Sequence, residues 1–499
     1  MGFLSAALYL LLSFVSLLTL LSLQKIIKKS NKLAPGPTPL PLIGNLLKLG
    51  DKPHKSLAEL AKTYGPIMSL KLGQINTIVI SSSKLAKEVL QKQDISFSTR
   101  YVPSGSYALA HDQFSVGWLP VYDTWRNLRR IMNSQMFSSS RLETSLRLRH
   151  DKVRDLVNYV EGCCRRGETV DIGRATFTTS LNFLSNTLFS VDLADPNKDS
   201  SKEFKDVISN IFVDIGKPNL ADYFPVLARI DPQGIKGRME IHFGKIFQIF
   251  DRLIDERLEL RRLKKKNDEN DVLDSLISFI EKNSEEIDRN HIEHLLLDVF
   301  AAGTDTTSST VEWAMAELLR NPKILNKAKS ELACEIGIGK LIKESDLNHL
   351  PYLRAIIKET LRLHPPAPLL LPRKVTCDVE LCGYIVPAGA KVLVNVWAIG
   401  RDPITWPTPT VFMPERFLES DIDVRGQDFE LIPFGAGRRI CPGLPLAMRM
   451  INVMLGSLVN IFDWKLVEGA LPSELDMEEK FGLTLQKAQP LLAIPSFHV

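Results

Sequence analysis

The sequence predicts a mainly α-helical body with small β-sheets, folded as one globular domain behind an N-terminal membrane segment. Long stretches between residues 120 and 365 place apolar residues at helical spacing, as in HIEHLLLDVF (291–300). Strand-like sequence is confined to short pieces near 67–83 and 379–396. No internal repeat or long linker follows residue 45. The 499 residues therefore favour one domain rather than the three that length alone suggests.

The composition is that of an ordinary globular protein and argues against nucleic-acid binding. Hydrophobic residues make up 44% of the chain, which is enough for a large core. Lys and Arg number 62 against 58 Asp and Glu, and no basic run alternates with aromatic residues. The six cysteines match no zinc spacing, and a chain of this length needs no disulfide, so a reducing compartment is expected. Pairing of Cys377 with Cys382 remains an open alternative.

The N-terminus predicts a membrane anchor over residues 1–24. Residues 3–23 carry no charge and are long enough, at 1.5 Å per residue, to cross a hydrocarbon layer of about 30 Å. Four lysines follow at 25, 28, 29 and 32, and nothing basic precedes the apolar run. This asymmetry places the N-terminus in the lumen and the rest of the chain in the cytosol. A cleaved signal peptide is the alternative.

A basic and proline-rich hinge is predicted over residues 25–45. Four of the seven residues from 35 to 41 are prolines. Proline fixes φ and removes a hydrogen-bond donor, so the segment should be a semi-rigid, extended spacer. The catalytic or binding domain would then comprise residues 46–499.

The body begins with strand signals and ends with an apolar helix. Strands are predicted at 67–73 and 77–83, followed by a helical pattern at 84–92. The highly charged stretch 261–274 is interpreted as a solvated loop or helix end. Proline-dense loops follow the strand-like region 379–396, and an apolar helix runs from about Pro445 to Phe462.

One cysteine lies in an unusual loop, FGAGRRICPG (434–443). Cys441 precedes a predicted helix start, where free backbone N–H groups and the helix dipole stabilise a thiolate. Gly437 and Gly443 allow tight turns or close approach of the backbone. Such a thiolate can be a nucleophile, a zinc ligand or a haem ligand. No local signature supplies a histidine base and no further zinc ligands are near, whereas a single thiolate suits haem iron.

The segment FAAGTDTTSST (300–310) combines small and polar residues inside a helical pattern. Ala302 and Gly303 remove side-chain bulk from one turn. Asp305, Thr306 and Thr307 place polar groups where apolar residues are expected, and threonine hydroxyls can bond back to carbonyls and bend a helix. A bend would make room for a small ligand. The alternative is the capped start of a new helix at Asp305 or Thr306.

A buried ion-pair cluster is predicted near the end of the helical region. Glu359 and Arg362 in KETLRLHPP have the i, i+3 spacing of a helical ion pair, a spacing that recurs elsewhere in the chain. PERF (414–417) offers Arg416 in a proline-bounded loop. A Glu–Arg–Arg cluster could hold that loop beside the thiolate.

Taken together, these motifs resemble those of the cytochrome P450 family, in its plant microsomal form. The cysteine loop fits the haem-thiolate signature F-x-x-G-x-R-x-C-x-G, AGTDTT the oxygen-activation helix, ETLR and PERF the Glu-x-x-Arg and PERF elements, and WRNLR the W-x-x-x-R element. The elements occur in the family's order and span the chain. The resemblance implies the cytochrome P450 fold and a monooxygenase that uses O2 and NADPH. A haem-thiolate isomerase or dehydratase, or a non-catalytic haem binder, is the alternative from another class.

The resemblance also implies residue roles. Cys441 would be the axial ligand of haem b iron. The other residues implied to surround the haem are Phe434 and Gly437, and, as holders of the propionates, Arg439, Trp125, Arg129 and Arg373. Thr306 would hold oxygen and water, and Asp305 would help to relay protons. Glu359, Arg362 and Arg416 would be structural.

Four further stretches, among them 73–94 and 476–488, resemble a subfamily of monoterpenol hydroxylases that converts geraniol to 8-hydroxygeraniol in iridoid biosynthesis. Relatives in that subfamily dealkylate alkoxycoumarins and other phenolic ethers, which is the alternative reaction. The candidate substrate-pocket residues are Tyr107, Phe114, Phe300, Ala301, Ala367, Leu369 and Leu483.

The implied partner is NADPH–cytochrome P450 reductase, because the chain has no Gly-x-Gly-x-x-Gly and no flavin module. Arg126, Arg130 and Arg438 are candidate contacts for it, with ordinary solvated charges as the alternative. The implied location is the endoplasmic reticulum membrane, with a single-pass anchor and a cytosolic catalytic domain.

Overall fold

The computed structural model describes residues 33–195, 197–263, 271–282, 287–467 and 471–498. The predicted anchor (1–24), the hinge as far as residue 32, and residues 264–270 of the charged stretch lie outside this part of the chain.

Helices make up most of the described chain. The α-helices, numbered here in chain order, are α1 (Pro53–Tyr64), α2 (Ser83–Lys87), α3 (His111–Phe114), α4 (Asp123–Met132), α5 (Ser139–Thr144), α6 (Leu146–Arg166), α7 (Ile172–Phe189), α8 (Asp199–Gly216), α9 (Leu220–Tyr223), α10 (Ile235–Arg262), α11 (Val272–Lys282), α12 (Arg289–Arg320), α13 (Pro322–Glu335), α14 (Pro351–Leu363), α15 (Val396–Ile399) and α16 (Leu444–Ile461). Short 3₁₀ turns include Pro414–Phe417 and Gly437–Arg439.

The strands form four small sheets. They are β1 (Ile67–Leu72), β2 (Ile75–Ile80), β3 (Val170–Asp171), β4 (Arg373–Lys374), β5 (Val379–Leu381), β6 (Tyr384–Val386), β7 (Lys391–Val394), β8 (Phe462–Leu466), β9 (Glu479–Lys480), β10 (Gln486–Lys487) and β11 (Leu492–Phe497). The largest sheet has the order β1-β2-β7-β4, with β2 and β7 parallel. A second has the order β3-β11-β8, and β5-β6 and β9-β10 are two-stranded. The prediction of a mainly α single domain with small sheets is confirmed.

Helix α12 is the central element of the core. It is buried along nearly its whole length and packs against α7, α10, α14 and α16. It runs unbroken from Arg289 to Arg320, so no new helix begins at Asp305 or Thr306. A helix surrounded on all sides needs no polar face, which explains its nearly even distribution of apolar residues.

Helix α16 follows the cysteine loop, as predicted. It is long and apolar enough to cross a membrane, with a mean hydropathy of 1.4, but 67% of it is buried inside the domain. It is therefore a core helix. Among the described residues no other helix meets these criteria of length and composition.

The described part of the hinge lies against the large sheet. The Ser69 N–H donates to the Pro35 carbonyl at 2.8 Å, and Gly44 forms a β-bridge with Leu72. Asn45 donates its side-chain amide to the Pro37 carbonyl at 3.2 Å and accepts from the Lys71 N–H at 2.8 Å. These bonds fix where the chain enters the domain.

Candidate active site

A cavity of about 300 Å³ lies between α12 and the cysteine loop. Thr306 lines it from α12, and Cys441 and Phe434 line it from the loop. Its remaining wall is mainly apolar, with contributions from α8, α10 and the segment 366–371. An enclosed apolar cavity with a few polar groups is the usual form of a cofactor and substrate site.

The loop before Cys441 depends on Gly437. This residue has a φ of +67°, and a Cβ built on it would lie 1.9 Å from the Leu90 carbonyl oxygen. Only glycine fits a backbone this close in the left-handed region. The Cys441 N–H donates to the Phe434 carbonyl at 3.0 Å, and Arg129 donates to the carbonyl of Ile440. The cysteine is thus presented by a tightly closed loop.

The surroundings of Cys441 raise the pKa of its thiol overall, whereas the sequence predicted a stabilised thiolate. Burial raises the pKa of the thiol, while the Gly443 and Leu444 N–H groups and the charge of Arg129 lower it by a smaller amount. The helix start therefore favours the thiolate, as predicted, but does not by itself keep the sulfur ionised. A cationic metal at the sulfur would supply the missing stabilisation.

Four arginines converge on the cavity: Arg100, Arg129, Arg373 and Arg439. None of them forms an ion pair with a carboxylate of the described residues. Burial and the neighbouring arginines lower the pKa of Arg439 to about 9, and burial lowers that of Arg373 to about 10. Burial and its three neighbours lower the pKa of Arg100 well below its ordinary range. Buried cations in this arrangement call for anionic partners.

Two buried nitrogen atoms of the cluster have no hydrogen-bond partner and show whether a haem would fit the site. The Nε atoms of Arg100 and Arg373 are buried and have no hydrogen-bond partner. Haem carries two propionates, whose oxygens accept hydrogen bonds from guanidinium groups. A lone thiol, an apolar cavity and cations for two carboxylates fit a haem with a thiolate ligand.

Trp125 supports the arginines rather than offering a free donor. Its indole N–H donates to the Val116 carbonyl at 3.1 Å, so the expected direct contact with a propionate is not available to it. The guanidinium of Arg439 lies 4.8 Å from the centroid of the Trp125 ring, and that of Arg129 lies 5.9 Å from it. The ring thus stacks near both cations.

Arg100 is the member of the cluster that the sequence analysis missed. It pairs with Arg373 through an antiparallel β-bridge that joins residues far apart in sequence. No motif around Arg100 signals this contact, because the bridge is set by tertiary structure.

On α12, Thr306 lines the cavity and Asp305 does not. The Thr306 hydroxyl donates to the Ala302 carbonyl at 2.7 Å, as Thr310 does to the Thr306 carbonyl at 2.8 Å. Asp305 is buried and accepts from Thr484 at 2.7 Å and from Gln486 at 2.6 Å. Burial raises the pKa of its carboxyl group against these two bonds. Thr484 lines the cavity and so connects Asp305 to it.

Ala302 and Gly303 have different surroundings. Ala302 faces the cavity, as expected for a residue that removes bulk there. Gly303 faces α7 instead, since a Cβ at this position would lie 2.8 Å from Leu184. Its role is close packing of two helices.

Glu359, Arg362 and Arg416 meet in one buried cluster. Arg362 donates to both oxygens of Glu359 at 2.7 Å, and Arg416 donates to Glu359 Oε1 at 3.1 Å. Arg362 also donates to the carbonyls of Gly400 and Pro409. Because every charge is paired and the carbonyls use the remaining donors, the cluster joins α14 to the loops that follow α15.

Three of the seven candidate pocket residues line the cavity: Ala301, Ala367 and Leu483. The other four candidates are not among its lining residues. Tyr107 is 48% exposed, Phe300 packs in the core against Phe189 and Phe250, and Leu369 packs beside the large sheet. Phe114 stacks on His294. Residues that the sequence analysis missed include Ile211, Phe212, Phe243 and Leu297. Helical spacing gave no reason to prefer them over other apolar residues.

The cavity wall also contains a polar group that no sequence motif indicated. Asp298 and His111 line the cavity, with 3.4 Å between His111 Nε2 and Asp298 Oδ1. Ser115 and the Val116 N–H donate to Asp298 at 2.8 Å. Asp298 lies seven residues before Asp305 on α12, outside the stretch singled out for polar residues.

The three arginines considered for a partner protein are at the surface. Arg126 pairs with Asp123 at 2.8 Å, Arg438 pairs with Asp94 at 3.2 Å, and Arg130 is exposed. All six cysteines are free, so Cys377 and Cys382 are not paired.

The chain is similar in sequence to a known protein family and to several of its members. The sequence model of the cytochrome P450 family matches residues 34–492. The geraniol 8-hydroxylase of Catharanthus roseus is 60% identical over 469 residues, which cover 94% of this chain and 95% of that protein. The geraniol 8-hydroxylase of Swertia mussotii is 61% identical over 469 residues, 94% of each chain. The 7-ethoxycoumarin O-deethylase of Helianthus tuberosus is 57% identical over 467 residues, again 94% of each.

Proposed function

Because the chain belongs to the cytochrome P450 family and is a haem-thiolate monooxygenase, we propose that it hydroxylates a monoterpenol, converting geraniol to 8-hydroxygeraniol. The observation that carries the proposal is the identity of 60% and 61% to two geraniol 8-hydroxylases over 94% of the chain. The mainly apolar wall of the cavity supports it, since a terpene chain is apolar.

Haem in this family supplies O2 activation, with electrons that a reductase partner delivers from NADPH. We propose that Cys441 is its axial ligand and that Arg100, Arg129, Arg373 and Arg439 hold its propionates. Phe434 covers the sulfur side of the cavity. The four cations would then gain the anionic partners that the protein chain does not provide.

Proton delivery is proposed to use Thr306 and Asp305. The Thr306 hydroxyl faces the cavity from α12, one residue after Asp305. In the structure the Thr484 hydroxyl donates to Asp305. When Asp305 is protonated, which its raised pKa favours, the bond would reverse: Asp305 would donate to the Thr484 oxygen, and the Thr484 hydrogen would turn to the cavity and be passed on as Asp305 gives up its proton.

The experiment uses full-length protein with NADPH–cytochrome P450 reductase in lipid vesicles. Geraniol and NADPH are supplied, and products are identified by mass spectrometry. We expect 8-hydroxygeraniol, formed only when NADPH and O2 are both present. Absence of any hydroxylated geraniol from haem-loaded protein would refute the proposal, whereas product formed without NADPH would point to an isomerase or dehydratase.

A second candidate function is O-dealkylation of alkoxycoumarins. It is favoured by the 57% identity to a 7-ethoxycoumarin O-deethylase. The same vesicles are given 7-ethoxycoumarin, and the fluorescent phenol is measured. A ratio of kcat/KM that favours geraniol supports the first candidate, and the opposite ratio supports the second.

We also propose that residues 1–24 anchor the protein in the endoplasmic reticulum membrane and that residues 25–45 connect the anchor to the cytosolic domain. The charge pattern of the N-terminus supports this orientation. Leu40 and Leu42 in the hinge, and Leu47 just after it, have exposed side chains. Protease protection of microsomes tests the topology, since the catalytic domain should be digested without detergent.

A further inference from the structure

Among the described residues that line the cavity, one acid–base pair lies away from the arginine cluster and Cys441. These are Asp298 of α12 and His111 of α3. Asp298 is the only carboxylate among the described residues that line the cavity. Its side chain is 15% exposed, and that of His111 is 5% exposed. A carboxylate in an apolar wall costs free energy unless its lone pairs are used.

Part of the bonding capacity of Asp298 is used by the protein. Ser115 donates to both carboxylate oxygens, at 2.8 and 2.9 Å, and the Val116 N–H donates to Oδ2 at 2.8 Å. Two carboxylate oxygens can accept about four hydrogen bonds. The distance of 3.4 Å from Oδ1 to His111 Nε2 is too long for a good hydrogen bond. Oδ1 therefore keeps capacity for a donor from the cavity.

His294 determines which nitrogen of His111 carries the proton. The Nδ1 atoms of the two rings are 2.8 Å apart, so one of them must donate. Burial and His111 lower the pKa of His294 to about 4, which keeps its ring neutral at pH 7. If His294 Nδ1–H donates, His111 carries its proton on Nε2 and points it toward Asp298. The reverse assignment would set a nitrogen lone pair against a carboxylate.

We propose that Asp298 and His111 bind the hydroxyl group of the substrate alcohol and thereby set which end of its chain is oxidised. A hydroxyl beside the pair donates to Asp298 Oδ1 and accepts from His111 Nε2–H. His111 and Asp298 are thus specificity-determining residues, and His294 is a positioning residue behind them. The inference rests on the proposed monoterpenol substrate.

The spacing along α12 fits this assignment. Asp298 precedes Thr306 by eight residues of continuous helix, a rise of about 12 Å. Eight bonds of an extended chain, from the hydroxyl oxygen of geraniol to C8, span about 10 Å at the advance per bond of an extended backbone. An alcohol held at Asp298 therefore places its far methyl groups at the level of Thr306, where the proposed proton delivery occurs. The hydroxyl end is kept away from that level.

The test compares two ligands in the haem-loaded, full-length protein. They are geraniol and the hydrocarbon in which its hydroxyl is replaced by hydrogen, and binding is measured from the substrate-induced Soret shift. We expect the wild type to bind geraniol at least about tenfold more tightly, the value of a hydrogen bond to a charged group. His111→Phe keeps the ring contact with Phe243 but loses the donor, and should lower the ratio by about threefold, since the bond to Asp298 is retained.

Two further variants separate recognition from loop structure. His111→Gln restores a donor near Nε2 and should recover most of the preference for geraniol. Asp112→Asn, a change in the same short helix that does not face the cavity, is the matched control and should leave the ratio unchanged. A loosened loop would weaken both ligands alike and leave the ratio at its wild-type value, which would contradict the proposal.

The product pattern gives a second readout. In His111→Phe we expect the fraction of oxidation at C8 to fall, with other carbons oxidised instead. Equal wild-type affinity for alcohol and hydrocarbon, with 8-hydroxygeraniol still formed, would overturn this inference and leave the proposed function standing. Preferential binding of geraniol without any hydroxylation would overturn the proposed function and support the hydroxyl site alone. A stronger preference for geranylamine over geraniol would assign Asp298 to a cation and overturn the inference.

Discussion

At the scale of single residues, the buried arginines around the cavity cost free energy of folding and are suited to hold an anionic ligand. Burial and the other three arginines lower the pKa of Arg100, burial with Arg373 and Arg129 lowers that of Arg439, and the Nε atoms of Arg100 and Arg373 have no partner. In Arg100→Leu one buried cation is removed. Desolvation of an unpaired buried cation costs several kcal/mol, so the protein without haem should unfold at higher urea concentration once this charge is removed.

The same variant should bind haem less well, because a propionate loses a partner. The rate of haem transfer to apomyoglobin should rise by about tenfold. The two effects have opposite signs, which a general packing defect would not produce. Lower stability of the haem-free variant would contradict the assignment of Arg100 to an anion site.

Thr306 is the second residue whose role can be isolated. Thr306→Ala removes the hydroxyl that faces the cavity, and should leave haem bound while product per NADPH consumed falls by about 10- to 100-fold and hydrogen peroxide rises. Thr310→Ala is the matched control, since Thr310 also lines the cavity and makes the same bond to a carbonyl four residues earlier. Thr306→Ser should restore coupling. Equal coupling in Thr306→Ala and the wild type would remove Thr306 from proton delivery.

Local motifs predicted some of these residues and not others. Cys441, Arg439 and Thr306 stand in short segments whose composition is odd for their predicted structure, and the cavity wall includes all three. Arg100 lies in a segment without a motif, and Asp298 lies in one that shows only helical spacing. A long-range β-bridge brings Arg100 to the cavity, and the face of α12 brings Asp298 there. Contacts of that kind depend on the packing of distant elements, which spacing within one segment does not encode.

At the scale of elements, the cysteine loop is held by its contact with the segment Glu88–Lys92. Gly437 touches this segment at the Leu90 carbonyl, whereas Gly435, with a φ of +70°, would place a Cβ no closer than 3.9 Å to Leu370. Gly435→Ala therefore adds backbone strain of roughly 1–2 kcal/mol without a close protein contact, and adds a methyl group at the cavity wall. Gly437→Ala adds overpacking of about 1–3 kcal/mol.

We expect Gly437→Ala to reduce the yield of haem-loaded protein far more than Gly435→Ala. The measurement is the ratio of Soret to protein absorbance after purification, together with the urea midpoint of each variant. Similar losses in the two variants would mean that the approach to Leu90 does not limit the loop.

The helices were easier to predict than their continuity and their packing against one another. The periodic segments became helices, and the strand signals at 67–73 and 77–83 became a hairpin at Ile67–Leu72 and Ile75–Ile80. The continuity of α12 was an open question, because threonine and aspartate favour caps as well as back-bonded helix interiors. Packing on several neighbouring helices decides it in favour of one helix.

At the scale of the whole molecule, the polar contacts of one carboxylate join α1 to β9 near the end of the chain. Glu479 of β9 pairs with His54 at 3.1 Å and with Lys55 at 2.6 Å, both in α1. Its pKa is held well below the ordinary value by these partners, against burial. The stability from Glu479 is present above pH 4.5 and is lost as pH falls through the lowered pKa. At ordinary working pH the pair therefore stays intact.

Histidines set the pH dependence between pH 7 and 5. Burial lowers the pKa of His54, His242, His294 and His364, so the folded state takes up their protons less readily than the unfolded chain. The unfolded state then binds more protons as pH falls below about 6.5, and stability falls with it. His294, with a folded pKa of about 4, should account for about 2 kcal/mol of the loss between pH 7 and 5.

In His294→Phe, which cannot be protonated, the urea midpoint should fall less steeply over this range than in the wild type. His150→Phe, in α6, is the control, and its slope should match the wild type. A wild-type slope in His294→Phe would mean that the pKa of His294 is the same in the folded and unfolded states, which would contradict the lowered pKa assigned to it.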